Sequence, residues 1–166
     1  AMYGNTTGKC NAALGVESLK NNTTGCCNVA IGSTAVYSNT EGSYNVGVGQ
    51  RVLYSNTTGN VNTAVGFQAL FSNTTAALNK NTTGNYNAAI GNYSLACNTT
   101  GSWNSALGCG ALFNNTTGYG NVAVGVEPLL SNTTGTNNIG IGSTALRSNT
   151  TGNNNQAIGQ NALYSN

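Results

Sequence analysis

Branched aliphatic residues return along this chain at a fixed interval of seventeen, in two columns. One column is Leu14, Ile31, Val48, Val65, Ile90, Leu107, Val124, Ile141 and Ile158; the other is Leu19, Val36, Leu53, Leu70, Leu95, Leu112, Leu129, Leu146 and Leu163. Polar punctuation keeps the same beat. The tetrad Asn-Thr-Thr-Gly starts at Asn5, Asn22, Asn56, Asn81, Asn98, Asn115, Asn132 and Asn149, and a variant with Glu41 in third place starts at Asn39. Counting that first Asn as position one, nine units follow N-T-T-G-x-x-N-x-A-φ-G-x-x-A-L-x-S, where φ is Ile, Val or Leu. Between the glycines at positions four and eleven, alternation such as Asn28-Val29-Ala30-Ile31 predicts a short strand. Positions eight and ten then share one face, and positions seven and nine the other. The glycines predict corners, where positive φ or close backbone approach is needed. Seventeen residues with two glycines and a Thr pair cannot hold two helices of usual length. The unit therefore reads as one coil of an all-β parallel solenoid, or β-roll, of about nine coils. At a strand spacing of about 4.8 Å, nine coils give a rod of roughly 43 Å.

Stacking turns equivalent residues into ladders. Position seven is Asn in every unit: Asn11, Asn28, Asn45, Asn62, Asn87, Asn104, Asn121, Asn138 and Asn155. Stacked amides donate and accept along a rod, so these are read as a structural ladder near the coil interior. Position nine is always Ala or Gly and position fourteen is nearly always small, which lets two backbone layers lie close. The Thr pair is read as a turn and ladder feature. The register slips once. Repeats run over residues 1–72 and 81–166, while 73–80 resembles a half coil that has lost its strand. A half coil cannot add a layer, which predicts a protruding loop or local kink, or else a neutral scar of repeat slippage. Both chain ends fall inside a repeat, so the chain is expected to be a window on a longer array.

Composition narrows the chemistry. The chain has 166 residues, five Lys and Arg, three acidic residues and no His. Without His or Asp there is no Ser-His-Asp or Cys-His arrangement and no histidine metal site. Glu17, Glu41 and Glu127 lie in distant coils, too far apart for a carboxylate pair. No enzyme activity and no cofactor is expected. A net charge of +2 leaves no footprint for nucleic acid, and no apolar run approaches a membrane span. Gly-x-Gly matches such as Gly47-Val48-Gly49 lack a βαβ context and carry no nucleotide reading.

Cys10 and Cys27 share position six of adjacent coils, about 5 Å apart, which makes them a candidate disulfide and leaves Cys26 over. No C-x-x-C pair suggests zinc, and Cys97 and Cys109 have no evident partner. Position sixteen carries Tyr3, Tyr37, Tyr54, Phe71, Phe113 and Tyr164, a near-continuous aromatic column. Within it Tyr37, Tyr54, Phe71, Phe113 and Tyr164 are candidate surface contacts; a subunit contact or a cover over a thin core are the competing readings. Asn-Thr-Thr is also an N-glycosylation sequon at nearly every coil.

The segments Asn28-Val29-Ala30-Ile31-Gly32, Asn62-Thr63-Ala64-Val65-Gly66 and Asn87-Ala88-Ala89-Ile90-Gly91 resemble the NSVAIG head repeats of trimeric autotransporter adhesins, the YadA-like heads. The longer unit is similar to repeats of phage tail-fibre-like and bacterial surface-fibre proteins. The resemblance covers the chain apart from 73–80, although this unit is longer than the typical head repeat. It implies a left-handed β-roll with three chains side by side, exposed on a cell or virion and used for attachment. Oligomers also follow from the residues. A seventeen-residue coil buries little apolar area alone, and positions eight and ten can face partner chains. The expected partners are therefore the chain itself, as homotrimer or filament, and a host, prey or matrix receptor or glycan. A self-assembling filament or sheath subunit is the alternative. An ice-binding solenoid is a weaker one, because adjacent Thr residues in extended chain point to opposite faces.

Overall fold

The computed structural model describes residues 1–71 and 83–165. The segment 73–80, read above as a loop, kink or scar, lies outside the described residues. Nine three-residue strands follow in chain order: β1 (Ala12–Leu14), β2 (Val29–Ile31), β3 (Val46–Val48), β4 (Thr63–Val65), β5 (Ala88–Ile90), β6 (Ser105–Leu107), β7 (Val122–Val124), β8 (Ile139–Ile141) and β9 (Gln156–Ile158). They form a single parallel sheet in sequential order, each strand in register with the equivalent residues of the next. The chain is thus an all-β parallel solenoid. Across the 25-residue interval the register is unchanged: Thr63 pairs with Ala88 and Val65 with Ile90.

Why each position holds its residue is visible in the cross-section. Position fifteen points inward, with Leu19, Leu95, Leu112, Leu129 and Leu146 fully buried. It packs on the small residues of positions nine and fourteen, such as Ala30, Ala35, Ala106 and Ala111. The other aliphatic column faces out: Leu14 is 69% exposed, Ile90 44% and Leu107 48%. One large aliphatic side chain per coil is thus the main apolar filling. Replacing Leu112 by alanine empties that layer, and the expected loss is about 2–5 kcal/mol. A chemical denaturation series measures it.

Two glycine columns have different reasons. At position eleven φ is positive throughout, +127° at Gly108 and +130° at Gly91. At position four φ is ordinary, but a methyl there would land on the next coil's carbonyl oxygen, as at Gly25 against Gly42. Non-glycine residues also take the left-handed conformation, three times in most coils, at positions six, thirteen and fifteen (for example Cys27, Thr34 and Val36, φ 57°, 52° and 52°). Each such residue is unfavourable alone and persists because the stacked neighbours fix it.

Candidate functional site

The position-seven Asn residues form a continuous ladder. Oδ1 of each accepts the backbone N–H of the next, as in Asn45 to Asn28 (2.9 Å) and Asn121 to Asn104 (3.0 Å). From Asn11 to Asn138, Nδ2 donates to the position-four Gly carbonyl of the following coil, Asn28 to Gly42 at 2.8 Å. The same bonds span the 25-residue interval, with Asn87 N–H on Asn62 Oδ1 at 3.1 Å and Asn62 Nδ2 on the Gly84 carbonyl at 2.9 Å.

A second ladder went unrecognised in the sequence. Position-one Asn is also buried: Asn39 Nδ2 donates to Asn22 Oδ1 (2.7 Å) and to the Gly42 carbonyl (2.8 Å) of its own coil. Its signal was present, since position one is as invariant as position seven. This geometry also answers the sequon. In Asn22, Asn39, Asn115 and Asn132 the side chain is fully buried, and in each Nδ2 is doubly hydrogen-bonded. A glycan on that nitrogen would require opening the ladder.

The rest of the tetrad is corner chemistry. The Thr40 carbonyl accepts the N–H groups of Thr23 (2.9 Å), Thr24 (3.0 Å) and Gly25 (3.2 Å), together with the Thr23 hydroxyl (2.9 Å). Position two is therefore engaged within the rod, while position three is exposed in Thr24 and Thr100, which is why Glu41 is tolerated there. Position five supplies a short side-chain acceptor to the previous coil, as Ser43 Oγ to Cys26 N–H and Asn60 Oδ1 to Ser43 N–H.

The aromatic column at position sixteen is divided. Tyr37 and Tyr54 stack at 5.0 Å and 8°, and Phe71 follows Tyr54 at 5.2 Å. Lys20 lies over Tyr37, and Arg51 over Tyr54 and Phe71. Glu17, bonded to the Lys20 ammonium at 2.7 Å, and then Tyr37 raise the pKa of Lys20. These ring faces are turned to one another and to cations, leaving edges for any partner. Phe71 is only 8% exposed, so as a surface contact it has little to offer. Ala96 then breaks the column, and Phe113 joins Tyr93 of position thirteen instead, at 6.0 Å and 67°. Tyr164 sits with Arg147, whose Nη1 donates to the Tyr164 hydroxyl at 3.2 Å. A separate exposed strip lies at position six, where Tyr86 and Trp103 stack at 4.2 Å.

Cys10 and Cys27 occupy adjacent coils, with Cys27 N–H donating to the Lys9 carbonyl at 2.9 Å, and both are free thiols. Burial, then the neighbouring Cys10 and Cys26, pushes the Cys27 thiol up, which favours the protonated and less reactive form. Among the described residues no group of three or more Cys and Glu side chains is placed to hold a metal ion.

The widest surface feature is the outer face of the sheet. Position ten is aliphatic in every strand, and position eight widens it in two places, at Val29 and Val46 and again at Val122 and Ile139, with Thr63, Ala88 and Ser105 between; no charged residue stands in either column. The face is roughly 43 Å long and about 10 Å wide, about 430 Å², the size of the largest apolar patch on a monomer, which is often a functional surface. No protein-family model, curated protein or solved structure matches the chain.

Proposed function

We propose that this chain is a structural and adhesive fibre segment, exposed on a cell or virion surface, whose solenoids pack side by side through the outer face of the sheet, by preference as a homotrimer. The observation that carries the reading is the outward-facing aliphatic column at position ten, in register over all nine strands and widened at position eight by Val29, Val46, Val122 and Ile139. At about 430 Å² it supplies roughly half of the 800 Å² per partner of a standard interface, so each chain would pack through it together with flanking side chains. The resemblance to surface-fibre head repeats supports the same packing. Ice binding is disfavoured by the position-two hydroxyls, which donate to carbonyls inside the rod.

The test is a triple variant, Ile31→Lys, Ile90→Lys and Leu107→Lys. All three sites are at least 40% exposed, so the single solenoid should keep its circular dichroism spectrum. Light scattering is expected to show the variant as a monomer where the unsubstituted chain associates. An unchanged mass would remove this face from the assembly. Large open-ended particles of the unsubstituted chain would favour a filament or sheath.

A further inference from the structure

The side-chain columns on the turn side of the rod are continuous except where a glycine omits a rung. At position thirteen the order through the middle of the rod is Gln68, Tyr93, Gly110, Glu127 and Thr144. Gly110 leaves Tyr93 and Glu127 two coils apart, roughly 9.6 Å, and the Glu127 and Leu130 side chains lean over the place of the missing side chain, where a Cβ would meet them at 3.3 and 3.4 Å. The backbone there is undisturbed. Gly110 N–H donates to the Asn92 carbonyl at 3.0 Å, Glu127 N–H to the Cys109 carbonyl at 2.8 Å, and φ of 66° is close to that of the other position-thirteen residues. The result is an open notch of about 300 Å³, lined by the apolar Tyr93, Phe113 and Leu130 and by Cys109, Gly110, Asn114 and Glu127.

We propose that this notch is a binding site for one neutral pyranose residue of a glycan. A pyranose ring presents two apolar faces about one coil spacing apart and hydroxyl groups around its equator. A notch of about 300 Å³ has room for one such ring. Phe113 and Tyr93, inclined at 67°, supply the apolar walls. Equatorial hydroxyls need acceptors and donors at the rim, and Glu127 and Asn114 provide both. Arg147 Nε binds Glu127 Oε2 at 3.0 Å, leaving Oε1 to accept from a ligand hydroxyl. The pair also cancels the carboxylate charge, which favours a neutral sugar over a quaternary ammonium ion or an anion. Positions thirteen and sixteen lie outside the two strand columns proposed for lateral packing, so an assembled fibre keeps the notch open. The proposal draws on the attachment reading for its use, but binding itself does not require assembly.

The experiment is a titration of the full chain with methyl β-glucopyranoside, methyl β-galactopyranoside and methyl N-acetyl-β-glucosaminide, followed by saturation-transfer NMR and the Asn114 side-chain amide. One sugar in a shallow site is expected to bind with a Kd of about 1–10 mM. Gly110→Gln restores the missing rung with the residue already buried at the equivalent place in the column, Gln68. It should weaken binding by about tenfold or more while leaving the thermal melt within a few degrees. Phe113→Leu removes a wall and serves as the second readout if Gly110→Gln misfolds. Silence from all three glycosides, or binding equally strong in both variants, overturns the proposal. Preferential binding of tetramethylammonium, run as a control, overturns the sugar assignment. Because the triple lysine variant leaves the notch intact, a monomer that still binds sugar separates failure of the fibre reading from failure of this one.

Discussion

Gly108→Ala is expected to be among the most damaging single substitutions in the rod, costing about 2–6 kcal/mol from backbone strain and displaced packing together. At φ +127° an L-residue is strained whatever the space, and here there is none: a methyl would fall on the Gly125 carbonyl oxygen. Neither backbone can retreat, because Gly108 N–H is held by the Ile90 carbonyl and Gly125 N–H by that of Leu107, each at 2.8 Å. Gly110→Ala, two residues away, is the control. Its methyl would meet only the Glu127 and Leu130 side chains, at 3.3 and 3.4 Å. Left-handed strain at φ +66° and these contacts should cost about 1–2 kcal/mol, well short of Gly108→Ala. Thermal melts of the two variants give the comparison. In a stacked-repeat protein the damaged layer should also split unfolding into blocks on either side of it.

Asn104→Ala is the second large effect. Asn104 Oδ1 accepts the Asn121 backbone N–H at 3.0 Å and the Asn121 amide at 3.1 Å. Its removal leaves a buried backbone N–H without a partner and a gap in the interior. The Gly118 carbonyl keeps a bond from Asn115 Nδ2 at 2.9 Å, so it is not orphaned. The expected loss is about 2–4 kcal/mol. Asn104→Asp sharpens the test. The shape is kept, but a carboxylate there would face Asn87 Oδ1, to which Nδ2 now donates at 3.3 Å. Burial raises the folded-state pKa of such an Asp above its unfolded value of about 3.9. The penalty is therefore absent below that pH and grows as pH rises from it towards the folded pKa. Relative to the unsubstituted chain, Asn104→Asp should recover at pH 4 and lose stability by pH 7 in parallel denaturation curves. A pH-independent difference would mean that the ladder site is open to water.

Much of the architecture was legible because nine copies in one chain act as an internal comparison. Invariant Gly at positions four and eleven and invariant Asn at position seven each had one physical reading, and strand pairing at a seventeen-residue spacing followed. Direction within the coil was harder. Positions ten and fifteen are both branched aliphatic columns, and nothing in either says that Leu112 is buried while Leu107 is half exposed. The distinction depends on backbone conformation: Leu112 sits at φ 53°, a region Leu rarely occupies, where no propensity rule would place it. The position-one ladder was missed because Asn beside Thr-Thr-Gly reads equally well as a turn. The role of the aromatic column stayed open for a similar reason. Spacing along a rod shows which rings are neighbours, but not that Tyr37 and Tyr54 turn their faces to each other. The notch at Gly110 had no positive signal, since it is made by a side chain that one coil lacks.

The central claim, that these solenoids assemble through the outer face of the sheet, is tested most directly by the native mass of the unsubstituted chain in reductant, measured by light scattering over a dilution series. The prediction is a stable particle of three times the 16.8 kDa chain mass, with reductant excluding cross-linking through cysteine. A mass of 16.8 kDa at every concentration would contradict it.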